Sequence, residues 1–274
     1  METFKLTLLF KILGIGAASG LWYQNNELFL IADNSTYLYQ YSITAQKLYK
    51  IPLVTQPEEN IPKQHKPDLE VITAEKGQLV LLGSGSTGQR CRSFTYKMTS
   101  GRVTEKNLSY LFEIIQQQTT IPAEEFNIEG LIFDKNQMYL FQRGNGIAAK
   151  NGIIKINDDI AHPNAVYYPI VLPKINGVTA SFTDAVLVDG IIYFLAAAES
   201  SNSTYHDGEI AGSMLGTINL ATLTLQNTHV ISKTHKFEGL TMYKKSNTTI
   251  EFLLCEDQDS EARESNIYHL ELHL

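Results

Sequence analysis

The sequence predicts an all-β protein, a five-bladed β-propeller formed as a single domain by residues 1–274. Three observations lead to this fold class. The chain is rich in aromatic residues, with 14 Tyr and 12 Phe, which favour strands. Hydrophobic residues make up 43% and charged residues 19%, as in a chain that folds around a core. One pattern also recurs five times along the chain.

Each repeat consists of a small or acidic residue, two apolar or Gly positions, a turn and a hydrophobic strand. The repeats start near residues 19, 68, 127, 182 and 236, with spacings of about 51 to 59 residues between their leading residues. Such spacings are typical of propeller blades. The turns QNN, EKG, DKN, VDG and KKSNTT are rich in hairpin residues. Because a blade is a four-stranded antiparallel sheet, five repeats account for nearly the whole chain.

The two chain ends are predicted to meet in the fifth blade. The fifth repeat stops after three strands, and the N-terminal segment FKLTLLFKIL supplies the fourth, which covers an open sheet edge. A signal peptide is the alternative interpretation of Met1 to Ser19, but Lys11 interrupts its apolar run and Glu2 weakens its basic region. A helical pattern appears from Leu108 to Gln118, as an insertion between blades two and three.

Composition argues against several classes of protein. A net charge of −7 and a pI near 5.5 disfavour a protein that binds nucleic acid. Two cysteines cannot form a disulfide framework, and no C-x-x-C spacing indicates a thiolate metal site. No stretch approaches the ~18 consecutive apolar residues of a membrane span. We expect a monomer in the cytoplasm, with a secreted or periplasmic location as the alternative.

The leading residues of the repeats are predicted to ring one mouth of the central channel, if the first strand of each blade is the innermost. These residues are Ser19, Glu70, Glu129, Asp184 and Glu238. Four carboxylates that converge there repel one another, and oxygen donors with high negative charge suit Ca²⁺ better than Mg²⁺. We therefore expect a calcium ion. The alternative is that these acids hydrogen-bond backbone amides at strand starts or line a wet channel.

The five contexts ASGL, DLEVI, NIEGL, FTDAV and FEGL resemble the five-bladed calcium-activated nucleotidases, or apyrases. In that family a Ser, Glu, Glu, Ser, Glu ring holds a central calcium. The resemblance implies the same five residues as ligands, with Asp184 in place of a Ser. The EGL-type starts are also similar to six-bladed phytase-like esterase and lactonase propellers and to bacterial propeller families of unknown function. Because each motif is two to four residues long, the resemblance supports the fold and the metal more than an activity.

The loops after the second strands are predicted to form a rim around the metal. The Gly-rich run from Gly83 to Gly88 and the RGNG segment that begins at Arg143 suggest a cradle for a small anion, with a plain hairpin connection as the alternative. The candidate ligand-binding residues are Ser84, Ser86, Arg90 and Asn145. The candidate catalytic residues are Asp33, Arg143, Glu199 and Glu256.

Two functional interpretations remain open from the sequence. The first is a calcium-dependent hydrolase of phosphoanhydride or phosphoester bonds, in which calcium orients a water, an arginine stabilises developing charge and a rim carboxylate acts as general base. The second is a non-catalytic propeller with structural calcium, which binds a small ligand or a partner protein. Because propellers host many unrelated functions, the fold does not choose between them.

Overall fold

The computed structural model of the protein describes residues 4–157, 162–200, 208–257 and 263–273. Its strands form five antiparallel sheets in a ring, which confirms the five-bladed β-propeller predicted from the repeats. Within this part of the chain, no helix has the length and apolar character needed to cross a bilayer.

The chain begins with a strand of the last blade, β1 (Phe4–Leu13), and then builds the first three blades in order. Blade one contains β2 (Ala18–Gln24), β3 (Glu27–Ala32), β4 (Tyr37–Ser42) and β5 (Lys47–Pro52). Blade two contains β6 (Leu69–Glu75), β7 (Gln78–Gly83), β8 (Arg92–Lys97) and β9 (Arg102–Asn107). After helix α1 (Ser109–Thr119), blade three contains β10 (Ile128–Asp134), β11 (Gln137–Gln142), β12 (Gly152–Asn157) and β13 (Ala165–Pro169).

The last two blades complete the ring. Blade four contains β14 (Lys174–Ile175), β15 (Val178–Val188), β16 (Ile191–Ser200), β17 (Glu209–Asn219) and β18 (Thr224–Ser232). Blade five contains β19 (Phe237–Lys245), β20 (Thr249–Glu256) and β21 (Glu264–His273), with β1 as its outer strand. Single turns of 3₁₀ helix lie at Gly88–Arg90 and Ala123–Glu125.

The N-terminal strand closes the propeller, as predicted. Strand β1 pairs antiparallel with β21 from Phe4 opposite Leu272 to Leu13 opposite Glu264. Ile12, near the end of β1, is fully buried. The first and last strands of the described chain are therefore neighbours in one sheet, and β1 covers what would otherwise be an open edge.

Two element boundaries differ slightly from the prediction. Helix α1 begins and ends one residue later than the segment Leu108 to Gln118. Strand β15 begins at Val178, four residues before the predicted repeat start, because β14 and β15 form a tight hairpin. Asn176 and Gly177 form its turn with positive φ angles of 50° and 85°, which favour this residue pair.

The core lies between the blades rather than at the centre of the ring. The described residues form five apolar clusters, one at each blade interface. Between blades three and four, Phe182 packs edge-to-face against Phe141 and Phe194, with centroids 5.2 and 5.0 Å apart. The innermost strands β2, β6, β10, β15 and β19 contact their neighbours around the channel. Their polar side chains at one end of the channel form the candidate site.

Candidate functional site: the acidic mouth of the channel

A β-bulge near the start of each innermost strand sets the geometry of the site. In every blade one residue of the innermost strand has no partner on the second strand, and the apolar residue before it is fully buried. A bulge bends the strand and re-aims a side chain. We call these five bulged residues the ring positions: Ser19, Glu70, Glu129, Thr183 and Glu238.

The fourth ring position corrects the sequence alignment, which placed Asp184 there. Phe182 pairs with Ala196 and Asp184 pairs with Leu195, so the bulged residue between them is Thr183. The Thr183 hydroxyl donates to the Phe237 carbonyl oxygen at 2.8 Å, just before the next ring residue. The Ser19 hydroxyl likewise donates to the Leu69 carbonyl oxygen, just before Glu70. Both hydroxyl residues thus join one inner strand to the next.

Asp184 occupies the position that is glycine in three of the other repeats. A Cβ atom at Gly239 would lie 2.9 Å from the Gly20 Cα atom, because adjacent inner strands pass close together here. In blade four the Asp184 carboxylate uses this proximity by accepting hydrogen bonds from the Ala185 and Leu240 amides, at 2.7 and 2.6 Å. Burial nevertheless raises the pKa of Asp184 well above its usual value. Its contacts match the alternative interpretation, in which the acid hydrogen-bonds backbone amides.

The ring positions lie in a dense cluster of charges, which we call the acidic mouth. Among the described residues, seven interacting carboxylates meet four cationic side chains at this end of the channel. The carboxylates belong to Asp33, Asp68, Glu70, Glu129, Glu199, Glu238 and Asp257, and the cations to Lys66, Arg90, Arg143 and Lys236. With every one of these groups ionised, the seven carboxylates would exceed the four cations by three charges, and burial and mutual repulsion raise the pKa of several of the acids.

Glu70 is the ring carboxylate with the least compensation. Within the described part of the chain its side chain accepts no hydrogen bond, whereas one oxygen each of Asp33, Asp68 and Glu70 lies within 4.8 Å of the others. Burial, then the charges of Glu129, Asp68 and Glu238, raise the pKa of Glu70 well above its usual value. A cation at this point would relieve that repulsion.

Lys66 partly neutralises the same acids. Its ammonium group donates to Asp33 and lies 2.8 Å from Asp68 Oδ1. The carboxylates raise the pKa of Lys66 despite its burial, so it stays charged. Although burial opposes it, Lys66 and Arg90 lower the pKa of Asp68, while burial raises that of Asp33. One Asp33 oxygen, Oδ1, is buried without a hydrogen-bond partner among the described residues.

Glu129 is held by a different kind of contact. Arg143 Nη1 donates to Glu129 Oε1 at 3.1 Å, and Nη2 donates to Glu199 Oε2 at 2.6 Å. The structure thus brings three of the predicted residues together, with Arg143 bridging blades three and four. Asn127 Nδ2 donates a further hydrogen bond to Glu129 at 2.8 Å. Burial raises the pKa of Glu129, and Arg143 opposes this shift.

Glu238 forms an ion pair with a lysine that lies just before its own strand, β19. Lys236 Nζ lies 2.9 Å from Glu238 Oε1 and 3.5 Å from Asp257 Oδ2. Burial raises the pKa of Glu238 to about 8; Lys236 lowers it, and Asp257 and Glu129 add to the rise. The predicted catalytic residue Glu256 lies beside this group, where Asn266 and Tyr268 donate to its Oε2 atom.

The predicted anion cradle on blade two forms a compact hydrogen-bonded network. The Ser84 hydroxyl donates to Asp68 Oδ2, and Arg90 Nη1 lies 2.8 Å from the same oxygen. Arg90 Nη1 also donates to the Ser86 hydroxyl at 2.9 Å. These three residues lie together, and their polar groups are directed to Asp68. Asn145, the fourth predicted ligand-binding residue, lines a separate cleft of about 350 Å³ beside Glu199.

The sequence reasoning missed Lys66, Asp68 and Lys236. Asp68 and Lys236 each stand two residues before a ring glutamate, in the segments KPDLE and KFEGL. Both residues lie just before the innermost strand begins, so the available signal was a charged residue close in sequence to the predicted ring carboxylate. Lys66 lies in the connection before β6, and only the assembled ring brings it to Asp33 of blade one.

The opposite end of the channel has a different character. A cavity of about 160 Å³ there is lined by residues of all five innermost strands, including Trp22, Ile72, Phe133, Val186 and Leu240. None of the described residues that line it is charged, and Thr73 is the one hydroxyl residue among them. The charged groups of the described channel are therefore gathered at the acidic mouth.

Comparisons with known proteins assign the chain to a family, but they do not identify an activity. Residues 14–272 match the family of unknown function DUF6929, and the chain belongs to that family. No curated protein matches the chain. Among solved structures, glutaminyl cyclase from Myxococcus xanthus is similar, with a TM-score of 0.55 at 11% identity. The match covers 98% of this chain and 96% of the cyclase chain.

Two further structures share the architecture. The Malassezia sympodialis allergen Mala s 1 has a TM-score of 0.57 at 8% identity, with 96% of both chains covered. An exo-1,5-α-L-arabinanase from a bovine ruminal metagenomic library has a TM-score of 0.53 at 9% identity, with 93% and 92% covered. At these identities the similarity shows the fold alone.

Proposed function

We propose that the protein is a calcium-binding propeller whose ion is held at the acidic mouth, with Glu70 as its central ligand. One observation carries the proposal. The Glu70 carboxylate lies among Asp68, Glu129 and Glu238 and accepts no hydrogen bond within the described part of the chain. Ionising Glu70 at this place costs free energy, which a hard cation with oxygen ligands would recover.

The donor set of the ring positions fits calcium. Three carboxylates and two hydroxyls, from Glu70, Glu129, Glu238, Ser19 and Thr183, supply only oxygen. Calcium accepts six to eight oxygen ligands in irregular geometry, whereas Mg²⁺ demands a near-octahedral set. With Thr183 at the fourth position, the ring also reproduces the order of hydroxyl and acidic residues seen in the apyrase resemblance.

The same contacts favour a binding role over phosphoester hydrolysis. Arg90 is paired with Asp68, and Arg143 is shared between Glu129 and Glu199. Both guanidinium groups are thus already engaged by carboxylates, and a phosphate would have to compete with those carboxylates for them. The proposed calcium therefore stabilises the ring and shapes the mouth for a bound ligand, as in the non-catalytic interpretation.

Thermal melts of chelator-treated protein test this proposal. We expect Ca²⁺, but not Mg²⁺, to stabilise the wild type, by about 2.7 kcal/mol when the free ion is at a hundredfold excess over Kd. The Glu70→Gln variant should lose this response. Glu75→Gln, which makes the same change at the far end of β6, should keep it.

Two results would contradict the proposal. One is the absence of calcium-specific stabilisation and of calcium uptake in equilibrium dialysis; the other is uptake that Glu70→Gln leaves unchanged. Release of phosphate from nucleoside triphosphates that depends on added Ca²⁺ would instead favour the hydrolase interpretation over a binding role.

A further inference from the structure

The cleft beside Glu199 has the features of a second site, distinct from the proposed calcium ring. It lies between the loop after β11 and the start of β15, and its volume is about 350 Å³. Cavities of this size are typical of small-molecule sites. We call it the polar cleft and define it by Asn145, Thr179, Ser181, Glu199 and Ser200 with the intervening glycines Gly146 and Gly177.

Two of its polar side chains, Ser181 and Asn145, have no hydrogen-bond partner within the described part of the chain. Ser181 is 7% exposed, yet within the described part of the chain its hydroxyl makes no hydrogen bond. The Asn145 Oδ1 atom is also buried without a partner among the described residues, whereas Thr179 is exposed and its hydroxyl is open to water. Buried polar groups are normally hydrogen-bonded, so the unpaired Ser181 hydroxyl and Asn145 Oδ1 atom beside a cavity indicate a missing partner. A polar ligand would supply that partner.

The charged side chain that lines the described part of the cleft, Glu199, already has hydrogen-bond partners for both of its oxygens. Glu199 accepts from Arg143 through Oε2 at 2.6 Å and from the Gly208 amide through Oε1 at 2.7 Å. No other charged side chain lines the cleft within the described residues. An ion would therefore have to be desolvated without gaining a new counter-charge, which disfavours charged ligands. A neutral ligand meets no such cost.

The remaining groups select the chemistry of the ligand. Serine and threonine hydroxyls and a side-chain amide each both donate and accept hydrogen bonds. Their complement is a molecule whose own groups do the same at several neighbouring positions. From this geometry we infer that the polar cleft binds a small neutral polyhydroxylated molecule of about the size of a monosaccharide.

Saturation-transfer NMR and calorimetry with a panel of pentoses and hexoses test the inference, with inorganic phosphate, acetate and ethylammonium as charged probes. We expect saturable binding of at least one neutral sugar and none of the charged probes. Ser181→Ala and Thr179→Val should each weaken that binding about three- to tenfold, as the loss of one neutral hydrogen bond requires.

Ser93→Ala is the matched control. Ser93 is also a strand serine, is also 7% exposed and lies in β8 of blade two, away from the cleft. Its variant should bind sugar as the wild type does. The inference is overturned if no sugar of the panel binds, if a charged probe binds instead, or if Ser181→Ala and Thr179→Val bind as tightly as Ser93→Ala. Because the titrations are run with and without chelator, the outcome does not depend on the calcium proposal.

Discussion

Replacing Glu70 by glutamine should stabilise the calcium-free protein at neutral and mildly alkaline pH. Burial and the neighbouring carboxylates raise the pKa of Glu70 well above its ordinary value of 4.5. At a pH between 4.5 and the raised pKa of the folded state, folded Glu70 keeps a proton that the unfolded chain has released. The stability that this proton contributes is therefore fully present below about pH 4.5 and is lost as the pH rises through the folded-state pKa. Glutamine is neutral throughout and escapes that loss.

The magnitude follows from the linkage between protons and folding. One such group changes the free energy of unfolding by at most ~1.4 kcal/mol per pH unit within its window. The difference between Glu70→Gln and wild type should thus be near zero at about pH 4.5 and should then grow at up to that slope. Acids that do not interact with Glu70, such as Glu59 with its lowered pKa, are present in both proteins and cancel in the difference.

Urea unfolding in chelator at a series of pH values between about 4.5 and 8 measures this difference. Glu75→Gln serves as the control, since Glu75 lies at the far end of the same strand and pairs with Lys76 at 3.1 Å. A difference that stays flat with pH, or a Glu70→Gln protein less stable than wild type at about pH 8 without calcium, would refute the reasoning. Added Ca²⁺ should reverse the order of the two stabilities.

The remaining predictions concern contacts that hold the ring together, and each is a change in the free energy of unfolding measured in urea. Arg143→Ala should lower this free energy by about 3–5 kcal/mol, because it leaves two buried carboxylates without their ion-pair partner. Its control, Lys11→Ala, breaks an exposed ion pair and should lower it by about 1 kcal/mol or less. Ile12→Ala in the closing strand should cost about 2–5 kcal/mol, whereas Leu8→Ala, at a site 46% exposed in the same strand, should change stability by about 0.5 kcal/mol or less. Thr183→Val should cost about 1 kcal/mol through loss of its hydrogen bond to the next blade.

The fold could be predicted because it depends on patterns that are local in the sequence. Alternating strands, hairpin turns and a fixed spacing are visible along the chain, and they gave the five blades. The missing strand in the fifth repeat and the unassigned N-terminal strand also indicated how the ring closes, which the pairing of β1 with β21 confirms. These features depend on neighbours in sequence or on simple counting, so no tertiary contact was needed to find them.

The site could be predicted only in part, because it depends on register and on contacts between blades. At the fourth repeat we aligned the acidic residue of FTDAV, Asp184, with the acids of the other repeats. The bulge that fixes the ring position falls one residue earlier, at Thr183. A bulge is defined by the pairing of two strands, which the sequence of one strand does not show. The counter-charges were hidden for a different reason: Lys66 and Arg143 meet their partners across blade boundaries, over 33 and 56 residues of sequence.

Lys66 itself sets a limit on the proposed calcium affinity and offers a last prediction. Its ammonium group contacts Asp33 and Asp68, two of the three acids whose oxygens lie within 4.8 Å of one another. A divalent ion bound through Glu70 would sit near this charge. At about 5 Å, the repulsion between a unit charge and a divalent charge amounts to ~1–2 kcal/mol even with the dielectric constant of bulk water.

Lys66→Met should therefore bind Ca²⁺ about tenfold more tightly than wild type, although it should be less stable in chelator, because Asp33 loses its partner while Asp68 keeps Arg90. Calorimetric titration measures the affinity, with Lys76→Met as the control, since that lysine is 74% exposed at a hairpin turn. Unchanged or weaker binding by Lys66→Met would mean that the ion does not lie near Asp33 and Asp68. The proposed calcium would then have to be held on the far side of the ring, by Glu129 and Glu238.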